Sequence, residues 1–266
     1  MKAFTRLPGQ APARAVQMFL LILIFFPLLS CGQGKRTDIQ AEIPAVYAEN
    51  GLYSYARENG ESYRAALVLY ADLSEALKMR DREEPDFALS IVFPEMLRYA
   101  PLRNVMEQLA TRLVYGISPS FTGCTIGHFQ MNVAFAETIE RYVSLSAGLK
   151  ARYPGIDFGG TSKRLRDRLR RVGRINRIDG ETEYLYAFID ICTNKFSLGD
   201  LADEDRLVLL ATAYNAGMSR SREELEQVSS LNSYPSGLNS PSSKWNYATI
   251  AQEFYLGRKA KAGQPD

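Results

Sequence analysis

The chain has 266 residues, 46% of them hydrophobic, with 32 basic and 30 acidic side chains. That length carries one sizeable core and is most simply read as one domain, of one lobe or two. The near balance of charge leaves no nucleic-acid footprint, and three cysteines with one histidine do not make a metal set.

Residues 1–31 read as a targeting segment. Lys2, Arg6 and Arg14 form a positive start, an apolar run follows from Met18 to Leu29, and Ser30 precedes Cys31. The run is short for a membrane span. Leu28-Leu29-Ser30-Cys31 resembles the bacterial lipobox, which implies a signal peptide over 1–30, lipidation of Cys31 and a tether over 31–45. No Asp follows the cysteine, so the resemblance favours the outer membrane, with the protein facing the periplasm. An uncleaved anchor or an ordinary signal peptide are the alternatives. Without the first thirty residues, 29 basic side chains remain against 30 acidic ones. Cys124 and Cys192 could pair in an oxidising compartment or stay as two buried thiols.

The rest is read as mainly helical, over 46–257, with little or no strand and a frayed tail over 258–266. Tyr63 to Met79 forms a first helix, and the charged stretch 80–86 breaks it at Pro85. An apolar helix follows, carrying Ile91, Val92, Leu97 and Tyr99 with Glu95 inside it. Pro94 predicts a distorted or freshly started turn just ahead of that carboxylate. A carboxyl held among apolar neighbours is raised towards neutrality and suits a general acid. The plainer reading is a glutamate at the core edge paired with Arg98 or another base.

Pro101 opens a helix to Tyr115, and 116–131 is turn chemistry with three glycines and a proline. A helix from Val133 to Leu149 follows. Residues 161–178 carry eight basic side chains, with Leu165, Leu169 and Val172 at helical spacing, which predicts an amphipathic helix with a basic outer face. That face is either merely solvated or a contact for an anionic polymer or lipid surface. Glu181 to Asn194 is a further helix. Leu207 to Tyr214 is a buried one that ends at Gly217, with Tyr214 and Asn215 either satisfied internally or facing a cleft. A long loop over 228–243 precedes the last helix, Trp245 to Leu256.

Ala213-Tyr214-Asn215-Ala216-Gly217 is similar to the A-Y-N-A-G motif of soluble lytic transglycosylases, enzymes of lysozyme-like fold. Gly127-His128-Phe129-Gln130-Met131 stands where that family has G-x-x-Q followed by an apolar residue. Glu95 stands in order for its catalytic acid, and Tyr247 for the tyrosine of its final helix. The resemblance covers roughly residues 85–255 and implies a lysozyme-like helical domain. It implies cleavage of the β-1,4 bond between N-acetylmuramic acid and N-acetylglucosamine in peptidoglycan, with no cofactor or metal. Glu95 would be the sole acid/base, with Gln130, Met131, Tyr214, Asn215 and Tyr247 holding the glycan. The chain departs from the pattern at Met96, where the family has Ser. It departs again in the 35 residues from Glu95 to Gln130 and in the added basic segment. His128 takes a variable apolar position and is either a neighbour of the cleft or a structural residue. Glu107, twelve residues on from Glu95, does not share its helix face, so no motif carries a second acid. If products were hydrolytic, Asp190 and Asp200 are the acids to examine. From another class, the alternative is a catalytically idle lysozyme-like lipoprotein that binds peptidoglycan as anchor or scaffold.

Overall fold

The computed structural model describes residues 51–79, 84–117, 125–157, 164–235 and 245–262, all within one unit spanning Asp38–Asp266. The expected signal segment, Cys31, the tether over 31–45 and Cys124 lie outside the described residues. Among the described residues the chain is mainly α, with eleven α-helices and one two-stranded hairpin. None of these helices is long and apolar enough to cross a membrane.

The centre is α3 (Pro85–Met96), preceded by α1 (Leu52–Glu58) and α2 (Gly60–Lys78). Every residue from Phe87 to Leu97 is buried, so this helix has no solvated face and must be covered all round. The cover comes from α2, from α9 (Asp203–Ala216) and from α11 (Tyr247–Ala262). Phe93 of α3 stacks on Phe254 of α11 at 3.6 Å and meets Tyr63 and Tyr70 of α2 edge-on. Full burial of one such side chain stabilises by about 1.5–3 kcal/mol. Pro94 does not break α3: it sits in the last turn, and the helix runs on to Met96. Of the two expectations, a distorted or a freshly started turn, the fresh start before Glu95 does not occur.

After α4 (Pro101–Ile117) the chain forms a hairpin, β1 (Thr125–Ile126) against β2 (Met131–Asn132), with Thr125 opposite Asn132 and Ile126 opposite Met131. Turn chemistry was expected there, and two residues per strand leave no periodicity to read. Asn132 caps α5 (Val133–Leu145) by accepting from the Phe135 N–H at 2.8 Å. The single helix expected to Leu149 is two, because Ser146 caps a new one, α6 (Ala147–Arg152).

The basic segment is the main correction. α7 (Leu165–Arg174) turns two of its arginines inward: Arg171 is fully buried and Arg168 nearly so, while Arg166 and Arg170 stay exposed and so do Leu165 and Leu169. Arg171 donates from Nε to Glu140 of α5 at 2.7 Å and from Nη1 to Glu137 at 3.0 Å. It also donates to the second Glu140 oxygen and to the Tyr115 hydroxyl. Tyr184 of α8 (Ile178–Lys195) donates to Glu140 at 2.6 Å. A cation so buried is tolerable only with its carboxylates and hydroxyls in place. Those partners decide the face, against the leucine spacing.

Cys192 is a free, buried thiol whose pKa is pushed up by burial. The capped helix α10 (Arg222–Val228) was not expected, although Ser221-x-x-Glu224 is a capping box in plain sight. α11 continues to Ala262, past the expected end near Gly257.

Candidate functional site

α9 and α11 both pack against α3. Glu95 lies on its last turn and is 9% exposed. Arg98 Nη1 stands 3.8 Å from its carboxylate, an ion-pair distance that is long for a hydrogen bond. The turn itself is held by Tyr234, whose hydroxyl donates to the Pro94 carbonyl and whose ring lies 5.9 Å from the Arg98 guanidinium. Backbone bonds of 3.1 and 3.2 Å join Tyr234 to Trp245, which ties the start of α11 to the same place.

Tyr214 comes from the last turn of α9 and Tyr247 from the first turn of α11. Burial pushes both phenols well above their ordinary value, and the Glu95 carboxylate adds to the effect on each. Glu95, Tyr214 and Tyr247 therefore share one electrostatic neighbourhood. Among the described residues the Tyr247 hydroxyl is buried with no hydrogen-bond partner. Tyr214 is held between Phe135 and Phe188, at 5.0 and 5.4 Å, and its hydroxyl donates to the Phe129 carbonyl at 2.7 Å. Asn215, beside it, is half-buried.

Phe129 belongs to the turn of the hairpin. Gln130 has φ +51° and its amide is spent inside that turn: Nε2 donates to the Gly127 carbonyl at 2.8 Å, and Thr125 donates to Oε1 at 3.0 Å. The amide thus shapes the loop, a use the motif alone does not reveal. Met131 is buried in the core across from Ile126 and presents no open surface to a ligand.

Two polar groups that the sequence did not single out hold this loop. Asn104 of α4 accepts the Gly127 N–H at 2.7 Å. Glu181 of α8, wholly buried, accepts the Phe129 N–H at 3.2 Å on one oxygen and meets His128 Nδ1 at 2.8 Å with the other. His128 is half-buried and its ring lies 4.9 Å from that of Tyr99. The histidine is structural in its bonding and also adjoins the site. A glutamate 53 residues away from its partner has no local signature, so only the fold could show this pair.

Among the described residues no group of three or more His, Cys, Asp or Glu is arranged to hold a metal. Asp190 is engaged by Tyr153 at 2.6 Å and Arg152 at 3.2 Å, and Asp200 is exposed. No protein-family model, curated protein or solved structure matches the chain.

Proposed function

We propose that this chain is a lytic transglycosylase of lysozyme-like fold, acting on peptidoglycan from a lipid anchor at Cys31. The observation that carries the reading is that α9 and α11, which bring Tyr214 and Tyr247, both pack against α3, and that the charge of the buried Glu95 reaches both phenols. In the reaction, the Glu95 carboxyl gives its proton to the glycosidic oxygen and the C1–O bond breaks. The acetamido oxygen of the muramic residue bonds to C1 and takes up the positive charge. Glu95, now a carboxylate, takes the proton from the 6-hydroxyl of the same sugar. O6 then bonds to C1 as the acetamido oxygen leaves, closing a 1,6-anhydro ring. One group thus acts first as acid and then as base.

The half-buried Asn215 is the polar group suited to hold the glycan, while the buried Tyr247 supports the site from within. Gln130 and Met131 act through the loop they build. Two-carboxylate glycosidases need a second acid to activate water or attack the sugar. The other carboxylate whose field reaches Tyr214 is Glu181, and it is solvent-excluded with both oxygens engaged. That favours anhydro-forming lysis over hydrolysis. Purified protein incubated with peptidoglycan, with mass spectrometry of the soluble products, tests the reading. Products ending in 1,6-anhydro-muramic acid are expected. Free reducing ends would make the protein a hydrolase, and intact glycan that still binds the protein would make it the idle scaffold.

A further inference from the structure

The Gly127–Gln130 loop is fastened from inside the protein, at an atom-by-atom level that turn chemistry does not require. Gly127 has φ +83°, and a Cβ added there would overlap Glu181 Oε1 and the Ile175 carbonyl oxygen. The glycine lets the loop close down on a carboxylate that has no exposure to solvent. One Glu181 oxygen takes the Phe129 N–H and the other takes His128. The carbonyl of that same Phe129 receives the Tyr214 hydroxyl, and Tyr214 lies in the field of Glu95. A chain of direct contacts therefore runs from Glu181 through Phe129 to Tyr214.

We propose that Glu181 is the positioning residue of the site: paired with His128, it holds the Gly127–Gln130 loop from the interior and so places Phe129, Tyr214 and the Gln130 amide relative to Glu95. The proposal rests on the lytic reading of the Glu95 site. A loop moved by as little as about 1 Å can cost roughly a hundredfold in rate without touching the reacting groups.

The pair is charge-dependent. Burial works against the imidazolium, but the hydrogen bond and charge of Glu181 outweigh it, so His128 is raised above its ordinary 6.5. Around the pair stand Tyr99, after α3, Asn104 on α4 and Tyr214 on α9. Both phenols are raised by burial and stay neutral, and Arg177 on the approach to α8 is turned to Asp179 at 3.5 Å. On the alkaline side the imidazolium is thus the titrating group that matters. Burial also raises the Glu181 carboxyl, so the imidazolium–carboxylate pair is complete in the window between that raised carboxyl and the raised imidazole. As pH rises through the raised value, His128 loses its proton and Glu181 is left a buried carboxylate without its cation, which is costly. The loop's hold, and with it cleavage, falls on the alkaline side.

His128 is the chain's one histidine, so its ring proton signals in NMR are unambiguous. The test follows that signal across pH in the wild-type protein and in Glu181→Gln, which keeps size and one acceptor, and measures kcat for peptidoglycan cleavage over the same range. In the wild type, His128 is expected to titrate above 6.5, with the alkaline limb of kcat at the same midpoint. In Glu181→Gln both midpoints move together to lower pH, and in Glu181→Ala kcat falls about a hundredfold with a smaller change in KM. An unchanged His128 midpoint in Glu181→Gln overturns the pairing. A limb that stays put while the His128 midpoint moves overturns the positioning role. If the wild type cleaves nothing, the lytic reading and the positioning role built on it both fail, while the NMR titration still decides the Glu181–His128 pairing by itself.

Discussion

Replacing Arg171 with Met removes the cation but keeps much of the side-chain volume. The structure then leaves Glu140, which is 1% exposed, with the Tyr184 hydroxyl as its remaining partner, and strips Glu137 and Tyr115 of theirs from α7. Breaking a buried pair on one side costs about 3–5 kcal/mol, because the carboxylate stays buried. A domain of this size loses about 2–4 °C in melting temperature per kcal/mol, so the melt should drop by roughly 6–20 °C. Circular dichroism at 222 nm during heating measures it. The double variant Arg171→Met with Glu140→Leu removes both charges, and a large part of the loss should return, since an apolar pair of similar volume costs little. If Arg171→Met melts within about 2 °C of the wild type, the arginine is not buried against Glu140. The leucine-inward arrangement of α7 expected from spacing would then be right.

Gly127→Ala should destabilise the protein by at least about 1–2 kcal/mol from the left-handed backbone alone, with the overlap on Glu181 and Ile175 added, as read by the same melt. Asn104→Ala leaves the buried Gly127 N–H without its acceptor and should cost about 1–3 kcal/mol in urea unfolding. Tyr214→Phe removes the bond to the Phe129 carbonyl. It should lower kcat about tenfold or more while the far-ultraviolet spectrum is unchanged.

Much of the framework was legible because it depends on local rules. The apolar run around Glu95, the start of α5 after Asn132 and the buried helix ending at Gly217 all follow from period, cap and breaker. The motif residues Glu95, Tyr214 and Tyr247 are legible as well, because each sits in a short sequence pattern. What stayed hidden depends on partners distant in sequence. Arg171 faces inward because Glu137 and Glu140, 34 and 31 residues earlier, are there to meet it. No hydrophobic periodicity encodes that. Glu181 reads as an ordinary helix start until the fold brings His128 against it. Gln130 was read as reaching for a ligand, whereas its positive φ and short loop turn the amide back onto Gly127. α10 was different: its capping box was readable and simply lay among polar residues with no long apolar stripe.

In the proposed reaction Glu95 alone moves the proton. Glu95→Gln keeps the size of the side chain and removes the transferable proton, and general acid–base catalysis is worth about 10²–10⁴-fold in rate. The direct measurement is the release of soluble anhydro-muropeptides from peptidoglycan by Glu95→Gln and wild-type protein at equal concentration, with both checked for the same helical spectrum. The account predicts that release by the variant falls at least about a hundredfold, to background, while sedimentation shows it still bound to the polymer. Release at the wild-type rate would contradict it.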